Sequence, residues 1–180
     1  MTNTRKVIIY GANGYTGKLV AESLAQRQIP FYFAGRNKDK LEKALAIVKE
    51  RLGAHAWKLD AEVVAVDNSV EALTPVFAKC SVVIAVAGPF MQIGWPVVEA
   101  ALNAGCHYMD TTGEQDWTLA IAERFGQQFD AKGLLMAPAT SYMWTAGALA
   151  AEVVLEDPEI DSLDIVYQLD NGLPSEASTP

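Results

Sequence analysis

The feature that most constrains the fold is a glycine-rich segment near the amino terminus. Val7–Tyr10 is a continuous apolar run with β-branched residues, which predicts a strand covered on both faces. Apolar residues then recur at helical spacing over residues 15–27. The glycines at positions 11, 14 and 17 join the two patterns. They therefore predict a strand, a tight turn and a helix packed closely on the strand.

Strand and helix patterns alternate along most of the chain. After the first pair, the sequence predicts strands at residues 31–34, 63–66, 81–87, 107–109 and 134–137. Helices are predicted from Asn37 to Gly53, at 69–79 with an interruption near Pro75, at 96–104 and at 115–132. Repeated strand–helix units imply a parallel sheet with right-handed crossovers. We therefore predict an α/β fold, a Rossmann-type doubly wound parallel sheet, over residues 1–143.

The pattern changes near the carboxyl end. Beyond Thr145 a helix of small residues ends near Glu156, and alternating polar and apolar positions predict a strand at 160–169. Residues 171–180 are polar and turn-rich, so this strand would have no neighbour in the sequence. We interpret residues 144–180 as the start of a second, truncated α+β domain. Because an unpaired strand requires cover, we expect homo-oligomerisation through the missing part of that domain.

Composition indicates a globular protein and excludes several kinds of partner. The 180 residues are 51% hydrophobic and 20% charged, and the net charge is -8. Negative charge repels nucleic acid, so no nucleic-acid partner is expected. No apolar run has the ~20 residues of a membrane span and the start of the chain lacks a signal segment, which predicts a cytoplasmic protein. Cys80 and Cys106 fit neither a disulfide framework nor a metal site, so buried thiols and no metal are expected.

In this setting the glycine segment predicts a pyrophosphate site for a dinucleotide, rather than a turn that only connects two elements. Gly11 permits the tight turn, Gly14 the close approach of backbone to phosphate, and Gly17 the packing of helix on strand. Free backbone N–H groups and the positive end of the helix dipole would meet the phosphates. Further hydrogen bonds to the cofactor are expected from Asn13, Tyr15 and Thr16. For Tyr15, packing on the surface is an equal alternative.

The residue after the second strand indicates which dinucleotide fits. Domains that select NAD place an acid about 20 residues after the turn, whereas this chain has Arg36 there. A guanidinium pairs with a 2′-phosphate and stacks on adenine, so NADP is predicted, unless Arg36 is a solvated loop residue. Asn37 either caps the next helix or binds phosphate. Asp67, after the third strand, either contacts adenine or forms a turn.

Two loops are expected at the other half of the cofactor, because ligands bind beyond the carboxyl ends of parallel strands. The loop after the fourth strand, predicted to run beside the nicotinamide half, contains Ala87, Gly88 and Pro89. The candidates for orienting substrate or moving a proton lie at the fifth strand and are Tyr108, Asp110 and Glu114. For the two carboxylates, a helix cap is the alternative.

Five separate segments form a set that is more specific than the glycines alone. They are residues 11–20, 34–36, 87–90, Gly94 with 96–98, and 107–108 with 110–114. In this order they resemble the NADP-binding domain of saccharopine dehydrogenase-like oxidoreductases, which include trans-acting enoyl reductases. The resemblance covers roughly residues 6–140 and continues more weakly towards residue 175. It implies NADP held at Arg36 and a substrate site between this domain and a following α+β domain.

The resemblance implies an NADP-dependent oxidoreductase. Such a protein would transfer hydride between NADPH and a C=N, C=C or C=O bond of a small-molecule substrate. The alternative is a non-catalytic module that senses NADP and has lost turnover. An epimerase or lyase related to short-chain dehydrogenases is disfavoured, because their Tyr-x-x-x-Lys pair is absent from the sequence.

Overall fold

Six parallel strands form a single sheet in the computed structural model, which describes residues 7–168 and 170. In chain order they are β1 (Val7–Tyr10), β2 (Phe31–Gly35), β3 (Ala61–Ala65), β4 (Val82–Ala85), β5 (His107–Asp110) and β6 (Met136–Ala137). Across the sheet the order is β3-β2-β1-β4-β5-β6. The strand order reverses direction between β1 and β4, where open α/β sheets bind their ligands. The predicted Rossmann-type doubly wound sheet is confirmed.

Helices connect the strands and cover both faces of the sheet. They are α1 (Tyr15–Gln26), α2 (Lys38–Leu52), α3 (Val70–Phe77), α4 (Phe90–Ile93), α5 (Trp95–Ala104), α6 (Gln115–Ala131) and α7 (Tyr142–Val154), with a 3₁₀ segment at Gly53–Lys58. Two of these helices have side-chain N-caps. Asn37 caps α2 by accepting a hydrogen bond from the Lys40 amide, and Ser69 caps α3 by accepting one from the Ala72 amide. None of the helices in the described part of the chain is long and apolar enough to cross a membrane.

Two apolar clusters lie on opposite faces of the sheet. Ile8 and Tyr10 of β1 belong to the cluster shared with α3, α5 and α6, whereas Ile9 packs with α1 and α2. Ile8 and Ile9 are both 0% exposed. Because successive side chains of a strand point to opposite faces, both faces of β1 must be apolar. This double burial accounts for the uninterrupted apolar runs from which the strands were predicted.

The helix predicted with an interruption at Pro75 is continuous. α3 includes Pro75 and ends at Phe77. Proline removes one backbone hydrogen bond, to the carbonyl of Glu71. Both residues are exposed, so water can replace that bond. The predicted interruption is therefore wrong, and the cost of the proline is confined to the solvent side of a short helix.

The prediction of a strand at 160–169 is wrong for residues 160–168, which are the part of this range that the structure describes. Residues 160–168 have no regular secondary structure. Instead, Tyr167 and Ile165 lie against Gly147 of α7, and the Tyr167 hydroxyl donates to the Met143 carbonyl. A strand requires a neighbouring strand for its backbone groups, and in the described part of the chain none lies beside residues 160–168. Residues 169 and 171–180, also assigned to a second domain, lie outside the described residues, and that domain stays a prediction.

Buried acids that are neutral when protonated should make the fold sensitive to alkali. Burial raises the pKa of Cys80 to about 12, and burial also raises the pKa values of Cys106 and Tyr10. The pKa of Tyr108 lies well above its ordinary value, mainly through burial. The native state therefore binds these protons more tightly than the unfolded chain does. Stability should be fully present below about pH 8 and should fall above about pH 9, as the unfolded groups begin to ionise.

Urea unfolding at pH 7.5 and pH 10 measures this effect. Each such group contributes a slope of up to about 1.4 kcal/mol per pH unit between its unfolded and folded pKa values. The double variant Cys80→Ala/Cys106→Ala should show a shallower loss of unfolding free energy with pH than the wild type. Equal slopes for the two proteins would show that the thiols do not contribute.

Candidate functional site

The predicted site residues follow the carboxyl ends of neighbouring parallel strands and therefore meet at one edge of the sheet. The glycine turn follows β1, Arg36 follows β2, and Asp67 follows β3. Ala87 and Glu114 come after β4 and β5. The turn and the loop after β4 lie side by side at the point where the strand order reverses, because β1 pairs with β4.

Backbone hydrogen bonds fix the glycine turn against the end of β2. The amides of Gly11 and Ala12 both donate to the Ala34 carbonyl at 3.0 Å, and the Gly14 amide donates to the Gly11 carbonyl at 3.1 Å. The side chain of Asn13 lies close to Gly35: a Cβ added to Gly35 would be 3.3 Å from the Asn13 Oδ1 atom. These contacts place the turn beside Ala34 and Gly35, the two residues that precede Arg36. The glycine turn, predicted to bind the pyrophosphate, thus contacts the end of β2, which leads directly into Arg36, predicted to bind the 2′-phosphate.

The close approach of two loops explains why glycine occupies position 11. Gly11 has φ +88°, in the left-handed region that favours glycine. A Cβ added there would lie 2.6 Å from the Ala87 Cβ and 2.7 Å from the Ala87 backbone nitrogen. The predicted tight turn is therefore also the point of contact between the phosphate turn and the loop after β4.

The amino terminus of α1 has no side-chain cap. Its N-cap residue is Gly14, which carries no side chain to accept hydrogen bonds. The first amides of a helix have no intrahelical acceptor, and the helix dipole adds positive potential there. These amides suit phosphate oxygens. Gly14 is therefore compatible with the predicted pyrophosphate site.

Lys18, near the start of α1, is a residue to which sequence analysis assigned no role. Its Nζ donates to the carbonyls of Asn13 at 3.2 Å and Gly14 at 3.0 Å. These hydrogen bonds from the ammonium group stabilise the glycine turn and place a positive charge beside it. The signal in the sequence is a lysine four residues after the glycine N-cap, which is within reach of the N-cap carbonyl along the helix.

Arg36 and Asp67 place opposite charges on the adenine side of the predicted site. Both are exposed, and none of residues 7–168 forms an ion pair with Arg36. Each acts electrostatically on Tyr10: burial is the main cause of its raised pKa, Arg36 lowers that pKa, and Asp67 raises it. The Tyr10 hydroxyl donates to Asn68 Oδ1 at 3.0 Å. Within the described part of the chain, the guanidinium is therefore exposed and outside any ion pair, as a site for an anion requires.

The other predicted side chains of this region have distinct environments. Asn37 caps α2 through its Oδ1, 2.9 Å from the Lys40 amide, which is the first of its two predicted roles. Tyr15 is exposed, and Thr16 is partly buried at the start of α1. Gly88 and Pro89 are exposed in the loop after β4. Their contacts with the cofactor stay predictions.

Asp110 is buried and accepts four hydrogen bonds. Its Oδ2 accepts from the Tyr108 hydroxyl and from Trp117 Nε1, both at 2.8 Å. Its Oδ1 accepts from the backbone amides of Thr112 at 3.0 Å and Ala139 at 2.9 Å. The carboxylate thus joins β5, the loop after it, α6 and the loop after β6. Burial and the Asp110 charge keep the pKa of Tyr108 well above its usual value, so that hydroxyl stays protonated as a donor.

Glu114 occupies the N-cap position of α6 but caps a different helix. Its side chain makes no cap hydrogen bond in α6. Instead Oε1 accepts from the Phe90 amide at 2.6 Å and Oε2 from the Met91 amide at 2.9 Å, at the start of α4. The predicted alternative of a cap is thus observed, although on α4 rather than on the helix that follows. A cavity of about 440 Å³ lies against Glu114 and Met91.

Within residues 7–168, no three His, Cys, Asp or Glu side chains lie together so that they could hold a metal ion. Cys106 is a buried free thiol and Cys80 is partly buried. The Cys106 thiol donates to the carbonyl of Phe77 at 3.1 Å. Its contacts lie at the amino end of β5, opposite the edge that carries the predicted cofactor residues.

The fold and this edge define the class of protein as a Rossmann-type dinucleotide-binding domain. A family model described as the saccharopine dehydrogenase NADP binding domain matches residues 7–131. The chain belongs to this family, and the predicted cofactor, NADP, is confirmed at the level of the family.

Individual relatives are similar over the same part of the chain. A lipid droplet localized protein of Caenorhabditis elegans is 29% identical over 141 residues, which are 76% of this chain and 33% of that protein. A saccharopine dehydrogenase-like oxidoreductase of Mus musculus is 29% identical over 71% of this chain and 32% of its own length. The saccharopine dehydrogenase of Saccharomyces cerevisiae shares the fold, with a TM-score of 0.65 and 15% identity over 86% of this chain and 32% of that one. The chain thus spans about a third of the length of these relatives.

Proposed function

We propose that the chain is the NADP-binding part of an oxidoreductase that transfers hydride between NADPH and a C=N, C=C or C=O bond of a small-molecule substrate. The observation that carries this proposal is the uncapped start of α1 beside the exposed guanidinium of Arg36, which forms no ion pair with residues 7–168. The family supports the cofactor, and the mouse relative, named an oxidoreductase, supports the reaction class. Bound NADP supplies the hydride chemistry, while the protein binds and orients it.

The residues of this chain would bind the two phosphate-bearing parts of NADP. The first amides of α1, held in place by Gly11 and Gly17, would donate to the pyrophosphate. Arg36 would pair with the 2′-phosphate. Side chains proposed to add hydrogen bonds or contacts are those of Asn13, Tyr15, Thr16, Asn37 and Asp67, and the backbone of Ala87, Gly88 and Pro89 would face the nicotinamide half.

Substrate binding would involve protein beyond the described residues. The curated relatives are about three times as long as their match. In α7, Tyr142, Leu149 and Val153 are 70%, 64% and 68% exposed, and apolar helix faces of this kind are usually covered by further protein. This supports a following α+β domain, with the substrate between the two domains and with homo-oligomerisation through the second. A cytoplasmic location remains our proposal, and the name of the worm relative makes a lipid-droplet surface the alternative.

Titration calorimetry of the full-length protein with NADPH and NADH tests the cofactor assignment. The wild type should bind NADPH about 100-fold more tightly, because charge-assisted hydrogen bonds contribute roughly 1.5–3 kcal/mol. Arg36→Ala should weaken NADPH binding far more than NADH binding and so remove most of this preference. The matched control is Arg27→Ala, which removes an exposed guanidinium bonded to Ser23 at the far end of α1. Equal affinities of the wild type for the two cofactors would reject the role of Arg36.

A non-catalytic NADP sensor is the second candidate function. It is favoured by the contacts of Tyr108 and Asp110, which are buried and hydrogen-bonded to each other and so have no contact with a cleft. Oxidation of NADPH that depends on an added imine, enone or carbonyl substrate would establish the reductase. Tight NADPH binding without turnover on any of these classes would establish the sensor.

A further inference from the structure

A carboxylate from the loop after β5 holds the backbone of the loop after β4. Glu114 accepts from the amides of Phe90 and Met91 through its two oxygens. These are the first two amides of α4, whose own N-cap residue is Pro89 and provides no side-chain acceptor. A helix start leaves its first amides without an intrahelical partner. Glu114 therefore supplies the missing cap from a residue 23 or 24 positions further along the chain.

Glu114 is itself fixed by a series of hydrogen bonds. Its amide donates to Thr112 Oγ1 at 2.9 Å, and the Thr112 amide donates to Asp110 Oδ1 at 3.0 Å. Thr112 and Asp110 are buried, at 1% and 0% exposed. The carboxylate of Glu114 thus extends from a rigid part of the structure to the loop that it holds.

The held loop lies on the side of the site away from Arg36. Phe90 and Met91 directly follow Pro89, and Ala87 of the same loop contacts Gly11 of the phosphate turn. Arg36 lies across β1, at the end of β2. In a sheet of this order the dinucleotide crosses the point between β1 and β4. The loop fixed by Glu114 would therefore meet the nicotinamide half of NADP, while Arg36 meets the adenine half.

We propose that Glu114 is a positioning residue, which holds the loop after β4 in the conformation that receives the nicotinamide half of NADP. This inference rests on the proposed function. Both carboxylate oxygens already accept backbone hydrogen bonds, so the role assigned to Glu114 needs no proton transfer. It acts through the Phe90 and Met91 backbone and not on the substrate.

Two ligands separate the halves of the cofactor in the test. NADPH contains both halves, whereas 2′-phospho-ADP-ribose lacks nicotinamide and retains the groups proposed to meet Arg36 and α1. Glu114→Gln keeps the size of the side chain but leaves one acceptor oxygen for two amides, and Glu114→Ala removes both acceptors. In the full-length protein, Glu114→Gln should raise the Kd for NADPH about tenfold, and Glu114→Ala should raise it further. The Kd for 2′-phospho-ADP-ribose should change by less than about twofold.

The matched control is Glu123→Gln, the same substitution at an exposed position of α6. It should leave both dissociation constants unchanged. Equal weakening of both ligands by Glu114→Gln would overturn the proposal, since Glu114 would then support the whole domain. Unchanged NADPH affinity in both Glu114 variants would overturn it as well. Failure of the wild type to bind either ligand would instead reject the proposed function, so the two failures are distinct.

Discussion

Replacing Gly17 with alanine is expected to destabilise the fold by about 3 kcal/mol or more, at the upper end of the cost of overpacking. A Cβ at Gly17 would lie 2.5 Å from the Ala12 carbonyl oxygen, 2.6 Å from its Cα and 2.7 Å from its carbonyl carbon. All three are backbone atoms, so no side-chain rotation can relieve the overlap. The helix α1 would have to move away from the turn that follows β1. Because the first amides of α1 form the proposed phosphate site, NADPH affinity should fall with stability.

A second glycine provides a control for the added methyl group. Gly126 lies within α6, and a Cβ added there would have no atom within 4 Å. Gly126→Ala should stabilise the protein by roughly 0.5–1 kcal/mol, because alanine favours helix. Urea unfolding at neutral pH measures both variants. Surface substitutions usually change the unfolding free energy by less than about 0.5 kcal/mol. A change as small as this for Gly17→Ala would contradict the close packing of α1 on the turn.

The fold was largely predictable from sequence because its sheet is buried on both faces. Runs such as Val7–Tyr10 must then be apolar throughout, and helices with one apolar stripe must separate them. Prediction failed where alternation alone was the signal. Polar and apolar positions within residues 160–168 predicted a half-exposed strand, but such a pattern does not show whether a neighbouring strand is present. The side chains of Ile165 and Tyr167 lie against Gly147 of α7 instead.

The candidate site was predictable only in its local parts. The positions of Gly11 and Arg36 in the fold could be predicted, because each directly follows a strand of the sheet. The hydrogen-bond partners of Glu114 and Asp110 could not be predicted, since they lie up to 29 residues away in sequence. The residue type does not distinguish a carboxylate that accepts structural hydrogen bonds from a carboxylate that transfers a proton. Only the contacts of the folded chain distinguish them.

Removal of the Asp110 carboxylate is the second large effect that we expect. Asp110→Ala should destabilise the protein by about 4 kcal/mol, because four buried donors lose their acceptor and each unsatisfied group costs roughly 1–3 kcal/mol before relaxation. Asp110→Asn keeps one oxygen for the Thr112 and Ala139 amides but turns an NH₂ group towards Tyr108 and Trp117. The Tyr108 hydroxyl can rotate to accept, whereas the indole N–H cannot. The loss for Asp110→Asn should therefore be smaller, about 2 kcal/mol.

Tyr108→Phe and an exposed aspartate complete the series. Tyr108→Phe removes one donor and should cost about 1 kcal/mol, whereas Asp130→Asn, at an exposed position of α6, should stay within 0.5 kcal/mol of the wild type. Unfolding free energies from urea titration give the ranking. The same variants separate a scaffold role from a catalytic one once a substrate is known. If Asp110 moved a proton, Asp110→Asn would lower turnover by far more than the loss of folded, cofactor-bound protein explains. If the Asp110 carboxylate only holds β5, α6 and two loops together, the main effect of its replacement is a loss of protein stability. Turnover should then fall only in proportion to the fraction of protein that is folded and cofactor-bound.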